Sequence, residues 1–178
     1  MKKITVKDKT FRIFISSEEI SKSVHDISLK INNEFKVENP LFLIVLNGSF
    51  MFASDLLKKV NIPCEISFIK LASYHGTTST GLVNELIGLN EEISGRTIIV
   101  VEDIVDTGIT LEKIYDVLLK RNPKKILTCT LLFKPDSYKK NIKIDYAGRQ
   151  IGNDFVVGYG LDYDGQGRNL EDIYVLDL

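Results

Sequence analysis

Uninterrupted apolar runs alternate along this chain with segments whose apolar residues have helical spacing. Residues 41–46, 98–101 and 126–133 are rich in β-branched and other apolar residues, which is typical of strands covered on both faces of a parallel sheet. The first two runs lead through short polar turns into helix-spaced segments at 50–57 and 111–121. This repetition of strand, turn and helix predicts an α/β fold with a central, mostly parallel sheet flanked by helices.

The amino-terminal end has a different pattern. Residues 3–6 and 10–15 are rich in β-formers around a charged turn, which predicts a hairpin. Ser16 and Glu19 have the spacing of a capping box, which predicts the start of a helix. The apolar face of that helix comprises Ile20, Val24, Ile27 and Ile31. Shorter strands are predicted at 63–71, 82–87, 145–147, 155–157 and 173–176.

Composition fits one globular domain spanning residues 1–178, because 44% hydrophobic residues suffice for a core at this length. The 23 basic and 24 acidic residues give a net charge of −1, so no global field would hold nucleic acid or an anionic membrane. Residues 1–7 lack the apolar core of a signal peptide, and no apolar run approaches the roughly 18 residues of a membrane span. We therefore predict a cytoplasmic protein without nucleic-acid or membrane partners.

The stretch from Thr97 to Leu111 carries the strongest candidate chemistry. Glu102 and Asp103 follow a β-branched run, so we predict that they lie where a strand ends. The turn Asp106–Thr110 then precedes a helix, which brings the backbone NH groups of residues 107–110 to a helix N-terminus, where anions bind. This pattern predicts a phosphate site with a sugar or a metal beside the two carboxylates. A P-loop motif is missing from the sequence, which disfavours nucleotide hydrolysis of that kind.

Two further features are expected at the same edge of the sheet, because parallel strands end there together. The turn Asn47–Ser49 follows the strand at 41–46, and Lys134 follows the strand at 126–133. The turn is open to two interpretations, an anion-binding turn or only a tight connection, and Lys134 can equally be a solvated side chain. The polar loop 73–81 is likewise either a lid over a ligand or a mobile hairpin tip.

Residues 100–111 resemble the phosphoribosyl pyrophosphate motif of type I phosphoribosyltransferases, with apolar positions, two acids and then Asp-Thr-Gly-x-Thr. More narrowly, the chain resembles the short bacterial hypoxanthine-guanine phosphoribosyltransferases. Further matching segments follow the family's order over nearly the whole chain: Leu46–Ser49, Ser73–Tyr74 with Ser79–Gly81, Leu132–Lys134, and Phe155–Tyr163 with Arg168. The resemblance implies a type I phosphoribosyltransferase fold with a small hood and a flexible lid loop.

The resemblance also implies roles for individual residues. Asp106, beside the purine N7, would be the catalytic general acid or base, and its position after the strand suits that role. The ribose hydroxyls and the 5′-phosphate would be bound by residues of one strand and one turn, namely Glu102, Asp103, Thr107, Gly108, Ile109 and Thr110. The purine would be bound by Lys134 at its 6-oxo group, by Phe155 through stacking and by Val156 through its backbone.

The remaining implied residues bind pyrophosphate and metal and control access to solvent. Pyrophosphate would be bound by the turn after the first buried strand together with one arginine, namely Leu46, Asn47, Gly48 and Arg168. A magnesium ion would be held by Asp162, Glu102 and Asp103, and the lid would include Ser73 and Tyr74. Asn47 departs from the family, because many relatives carry lysine there, so only backbone contacts are expected to carry over at that position.

The implied function is purine salvage, in which the 5-phosphoribosyl group of phosphoribosyl pyrophosphate is transferred to N9 of hypoxanthine, and of guanine, with Mg²⁺ as cofactor. The implied assembly is a homodimer or homotetramer. Two alternatives stay open, a xanthine- or pyrimidine-specific phosphoribosyltransferase and a regulator that binds RNA on the same fold. The RNA-binding alternative requires a basic face, which the net charge of −1 disfavours.

Overall fold

The computed structural model describes residues 3–71 and 85–177, of which residues 85–87 are described for their backbone alone. The predicted lid, including Ser73 and Tyr74, and residues 82–84 of a predicted strand lie outside these ranges. In chain order the elements are β1 (Lys3–Val6), β2 (Lys9–Ile15), α1 (Ser17–Glu34), β3 (Leu41–Val45), α2 (Phe50–Leu57), β4 (Glu65–Leu71), β5 (Glu85–Ile87), β6 (Thr97–Val105), α3 (Ile109–Leu119), β7 (Lys125–Phe133), β8 (Tyr146–Gln150), β9 (Val156–Val157) and β10 (Ile173–Leu176).

The central sheet has its strands in the order β5-β4-β3-β6-β7-β8. The strands from β4 to β8 in this order are parallel, and β5 pairs antiparallel with β4 at one edge. The two middle strands, β3 and β6, are buried over most of their length, as their apolar runs predict. The predicted α/β fold class with a mostly parallel sheet is therefore confirmed.

Helices cover both faces of the central sheet. Phe42 and Ile44 of β3 pack with α1 and α2, whereas Leu43 between them packs with α3, because successive strand residues point to opposite faces. The predicted capping box begins α1: Ser16 Oγ accepts a hydrogen bond from the NH of Glu19, whose carboxylate accepts one from the NH of Ser16. This cap fixes the start of α1 and therefore the face that it turns toward the sheet.

A second, antiparallel sheet has the strand order β1-β2-β10-β9, and we call it the hood sheet. Its first two strands are the predicted amino-terminal hairpin, and the last strand of the chain pairs with β2. Phe11 and Tyr174 are buried in its small core together with Val157. The hood sheet therefore brings the two ends of the chain together. In the ranges given above, none of the helices has the length and apolar character that a membrane span requires.

The predicted end of β6 is wrong. The sequence pattern predicts that the strand ends at Glu102 and Asp103, but β6 continues to Val105, which pairs with Phe133 of β7. The strand continues because Ile104 and Val105 extend the β-branched run and because β7 offers it a partner along its whole length. Both carboxylates consequently lie inside a strand, where their backbone is fixed by the sheet.

The helix α3 ends at Leu119, two residues before Arg121, the approximate end that the sequence predicts. The NH of Arg121 donates to the carbonyl of Leu118, three residues back, at 3.0 Å, and Asn122 has a φ of +50°. A tightened last turn followed by a left-handed residue is a common helix ending, and the backbone of Asn122 cannot continue the helix.

Candidate active site

A cavity of about 410 Å³ opens at the carboxyl ends of β3 and β6, the edge of a parallel sheet where ligands usually bind. It is lined by most of the residues that the sequence predicts to bind the sugar phosphate, the pyrophosphate and the metal, and by the predicted catalytic residue. These are Leu46, Gly48, Glu102, Asp103, Asp106, Thr107, Gly108, Ile109, Thr110, Asp162 and Arg168. Three parts of the chain that are distant in sequence therefore meet in one cavity.

The turn from Asp106 to Thr110 has the geometry of an anion site. Gly108 is the N-cap of α3 with a φ of +82°, and the helix begins at Ile109. The first backbone NH groups of a helix have no partner within it, and they carry the positive end of the helix dipole. Thr107 and Thr110 line the cavity beside them and add two hydroxyl groups. The turn can therefore bind a phosphate group without a basic side chain.

Glu102 and Asp103 form an acidic pair in the lining of the cavity. Glu102 is only 6% exposed, and burial, followed by the neighbouring charge of Asp103, raises its pKa well above the ordinary value. Burial also raises the pKa of Asp103, although this carboxylate accepts a hydrogen bond of 2.8 Å from the NH of Ile104, which opposes the shift. Both carboxyl groups therefore hold a proton more readily than a free side chain does, and the pair is suited to exchanging hydrogen bonds with hydroxyl groups.

Glu102→Gln is expected to stabilise the ligand-free protein, and increasingly so as the pH rises above 4.5, the ordinary pKa of the group. The raised pKa of Glu102 contributes stability at low pH that is lost as the pH rises through the folded-state value, whereas glutamine does not titrate. The difference in unfolding free energy can grow by at most about 1.4 kcal/mol per pH unit, the limit for one proton. Urea unfolding of both proteins between pH 4.5 and pH 8 measures it, and a difference that does not change with pH would contradict the prediction.

Lys134 and Asp106 form an ion pair beside the anion-binding turn. Lys134 Nζ donates to Asp106 Oδ2 at 2.9 Å, and the backbone NH of Lys134 donates to the carbonyl of Val105 at 2.9 Å. Lys134 is 8% exposed, whereas the side chain of Asp106 is 45% exposed. The lysine therefore fixes the direction of a carboxylate that remains accessible from the cavity.

The two other residues predicted to bind a purine lie in or beside the hood sheet. Phe155 is 44% exposed, and its ring stands edge-on to Tyr163 at a centroid distance of 5.9 Å. Val156 is buried and pairs with Val175 of β10. The cavity lining, as far as the structure describes it, includes neither residue, nor Lys134, nor the exposed Asn47. Phe155 thus offers a free ring surface, while Lys134 is connected to the cavity through Asp106.

Glycines allow the turn after β3 to approach its neighbours closely. A Cβ on Gly48 would overlap the carboxylate of Asp103, and a Cβ on Gly160 would overlap the carbonyl oxygen of Gly48. Gly160 also has a φ of +99°, a backbone conformation that is unfavourable for residues other than glycine. The peptide bond between Leu46 and Asn47 is cis. The turn is therefore held between β6 on one side and the segment after the hood strand β9 on the other.

Arg168 connects this packed turn to Asp162. Its guanidinium donates to the carbonyl of Gly160 at 2.6 Å and pairs with Asp162 Oδ1, also at 2.6 Å. Asp162 Oδ2 accepts a further hydrogen bond from the NH of Gly165 at 2.7 Å. A guanidinium group is thereby held in the cavity lining, where a second anionic group can bind.

The family profile of the phosphoribosyl transferase domain matches residues 16–164, which include the whole cavity lining except Arg168. The chain belongs to the phosphoribosyltransferase family. A hypoxanthine-guanine phosphoribosyltransferase of Mycobacterium tuberculosis is 38% identical over 172 residues, covering 93% of this chain and 85% of that protein. The enzyme of the same name from Bacillus subtilis is 39% identical over 166 residues, covering 93% of this chain and 92% of that protein.

The solved structures agree with this membership. A hypoxanthine-guanine phosphoribosyltransferase from Bacillus anthracis superposes with a TM-score of 0.87 at 38% identity, covering 93% of this chain and 98% of that chain. The crystal structure of that protein contains a HEPES molecule in its active site. The predicted membership among phosphoribosyltransferases of the hypoxanthine-guanine type, and the corresponding enzyme class, are confirmed by these similarities.

Sequence reasoning missed several site residues of this phosphoribosyltransferase, of which Gly160 and Leu71 are examples; four other apolar residues of the lining were also not predicted, namely Val45, Ile104, Val105 and Leu111. Gly160 closes on the turn at Gly48, and Leu71, at the end of β4, lines the cavity. The segment Gly158–Tyr163 is part of the resemblance, so its closely spaced glycines were a usable signal for a tight approach. No local pattern marks Leu71, because its place in the lining depends on where β4 ends in the sheet beside β3.

The carboxylates in the cavity of this phosphoribosyltransferase fit a magnesium ion whose coordination is completed by phosphate oxygens of the substrate. Glu102, Asp103 and Asp162 all line the cavity. In the described part of the chain, no group of three or more acidic, histidine or cysteine side chains is arranged so that it could hold a metal ion by itself. Mg²⁺ is usually held by one or two carboxylates together with water and substrate phosphate oxygens. A site with few protein ligands is therefore consistent with this ion.

Proposed function

We propose that this phosphoribosyltransferase transfers the 5-phosphoribosyl group of phosphoribosyl pyrophosphate to N9 of hypoxanthine or guanine, releasing pyrophosphate. The names of the relatives supply the substrate class. The observation that carries the proposal is the Lys134–Asp106 pair at 2.9 Å, directly before a helix N-terminus that can bind a phosphate. A cation and a carboxylate side by side match the 6-oxo group and the N7 proton of a 6-oxopurine.

The sugar phosphate would be bound along β6 and the turn after it. The NH groups from Thr107 to Thr110 bind the 5′-phosphate, and the acidic pair accepts hydrogen bonds from the ribose hydroxyls. Breaking the bond from ribose C1 to pyrophosphate develops positive charge on the sugar. Asp103, which lines the cavity, would stabilise that charge.

The base would be oriented by Lys134 and Phe155. Lys134 donates to the 6-oxo oxygen, Phe155 stacks on one face of the ring, and the backbone of Val156 meets the base. As N9 attacks C1 of the ribose, the bond from C1 to pyrophosphate breaks and its electron pair leaves with the pyrophosphate. The proton on N7 passes to Asp106, which acts as the general base.

The leaving group would be bound by the turn after β3 and by Arg168. The backbone of Leu46, Asn47 and Gly48 supplies contacts to pyrophosphate, and the guanidinium of Arg168 binds its oxygens in a forked geometry. Mg²⁺, held by Asp162 with Glu102 and Asp103, would neutralise charge on the pyrophosphate. Ser73 and Tyr74 belong to the proposed lid, which would exclude water from the reacting carbon.

The purified protein, with Mg²⁺ and phosphoribosyl pyrophosphate, is expected to convert hypoxanthine to inosine monophosphate and guanine to guanosine monophosphate. Parallel reactions with xanthine and uracil test the alternative of a xanthine- or pyrimidine-specific phosphoribosyltransferase. A preference for either base would change the proposed substrate but not the membership in the phosphoribosyltransferase family. Chromatography of the nucleotide products measures the result. Absence of turnover with every 6-oxopurine would remove the proposed function.

Assembly and domain organisation are part of the same proposal. We expect residues 1–178 to fold as one domain and to assemble as a homodimer or homotetramer. Size-exclusion chromatography with light scattering measures the mass of the particle. A particle with the mass of a single chain at assay concentration would contradict the expected assembly without affecting the proposed reaction.

A further inference from the structure

The segment from Lys134 to Ile142, which we call the buttress, packs against the outer side of the phosphate-binding turn. It follows β7 directly, and its backbone and side chains bond to the turn and to the first part of α3. The bonds are Lys134 NH to Val105 O at 2.9 Å, Lys139 NH to Thr107 O at 3.3 Å, and Lys140 Nζ to Glu112 Oε2 at 2.6 Å. The buttress therefore bonds to the residue before the turn, to the turn itself and to the first part of α3.

Tyr138 fills the centre of this contact. A Cβ on Gly108 would lie 2.5 Å from Tyr138 Cε2, so the tyrosine ring lies directly against the glycine. The ring is itself fixed, because its hydroxyl donates to the carbonyl of Ile142 at 2.6 Å and because it stands edge-on to Phe133 at 5.3 Å. Burial raises the pKa of Tyr138, so its hydroxyl keeps the proton that it donates.

The turn needs such support because its own side chains supply little. Gly108 occupies the N-cap position of α3, where a serine or aspartate would normally bond to the first NH groups, and the cap makes no side-chain hydrogen bond. Gly108 has a φ of +82°, and a glycine can also adopt other backbone conformations at little cost. A rigid ring against the glycine limits that freedom and fixes the direction of the NH groups.

We propose that Tyr138 is a positioning residue for the 5′-phosphate, an inference that rests on the proposed function of the turn. Tyr138 acts through Gly108 and touches no substrate itself. Loss of the ring lets the turn move, and a displacement of about 1 Å in a positioning group can cost on the order of 100-fold. Pyrophosphate is proposed to bind to Gly48 and Arg168, which belong to other segments of the cavity lining, so we expect its affinity to be independent of Tyr138.

The experiment compares Tyr138→Ala with Tyr138→Phe in the full chain. We expect the alanine variant to weaken binding of ribose 5-phosphate, measured by calorimetry, by about tenfold or more, and to raise the KM of phosphoribosyl pyrophosphate similarly. Tyr138→Phe keeps the ring and its packing on Phe133 and loses only the hydroxyl bond to Ile142, so we expect a clearly smaller loss than in the alanine variant. Inhibition by pyrophosphate is expected to be unchanged in both variants. If the alanine variant does not fold, Tyr138→Leu, which keeps apolar bulk without the ring, is expected to show the same selective loss.

The possible results distinguish failure of the role of Tyr138 from failure of the proposed transferase activity. Unchanged binding of ribose 5-phosphate in the alanine variant, or an equal weakening of pyrophosphate, would overturn the role of Tyr138. Equal losses in the alanine and phenylalanine variants would also overturn it, because the ring would then not be the supporting element. Failure of the proposed function appears differently, as a wild-type protein that turns over no 6-oxopurine, and the calorimetric comparison still decides the role of Tyr138 in that case.

Discussion

Asp106→Asn is expected to lower kcat for inosine monophosphate formation by about 10²- to 10⁴-fold, the usual contribution of a positioned general acid or base. Asparagine has nearly the same shape as aspartate and can still accept a hydrogen bond from Lys134. It cannot take the proton from the purine N7, so the chemical step loses its base. Because the interaction is made mainly in the transition state, kcat and kcat/KM are expected to fall equally under saturating phosphoribosyl pyrophosphate.

The matched control for this prediction is Asp116→Asn, which removes an exposed aspartate from α3 and is expected to retain wild-type kinetics. The unfolding free energy of Asp106→Asn is expected to change by about 1 kcal/mol or less, because the ion pair with Lys134 is half open to solvent on the aspartate side. Activity of Asp106→Asn equal to that of the control would exclude Asp106 as the general base and leave Lys134 to orient the purine alone.

Local pattern was sufficient to predict most of the fold. The apolar run at residues 41–46 predicts β3 to within one residue, because a strand buried on both faces has no polar positions that could be mistaken for a helical face. Ser16 and Glu19 predict the start of α1 through a hydrogen-bonded cap that involves only neighbouring residues. Interactions of this short range are fully encoded in short segments of sequence.

Features that depend on distant partners could not be predicted in this way. The continuation of β6 to Val105 requires the full length of β7 beside it, which the pattern of either strand alone does not contain. The packing of Tyr138 on Gly108 joins residues from two elements, and neither residue type indicates the other. Pattern alone predicted a phosphate site at residues 107–110 beside two carboxylates, and the roles of the individual site residues came from family resemblance. The contacts that hold these residues in position became visible only in the structure.

Gly160→Ala is expected to destabilise the protein by about 3 kcal/mol or more and to weaken the binding of pyrophosphate and phosphoribosyl pyrophosphate. Two costs combine at this position. The backbone has a φ of +99°, and the new Cβ would overlap the carbonyl oxygen of Gly48, a backbone atom that cannot rotate away. Relief of the overlap requires movement of the turn after β3 or of the segment that bears Arg168, and both are proposed to bind pyrophosphate.

Gly165→Ala separates the two costs of Gly160→Ala. Gly165 also has a positive φ, +83°, but none of the described atoms lies within 4 Å of where its Cβ would be. The control therefore carries only the backbone cost of about 1 kcal/mol, and it is expected to leave pyrophosphate inhibition unchanged. Urea unfolding and inhibition by pyrophosphate measure both variants. If the two variants lose equal stability and bind pyrophosphate equally well, the close approach of Gly160 to Gly48 does not support the site, and the conformational requirement at residue 160 would be the whole reason for its glycine.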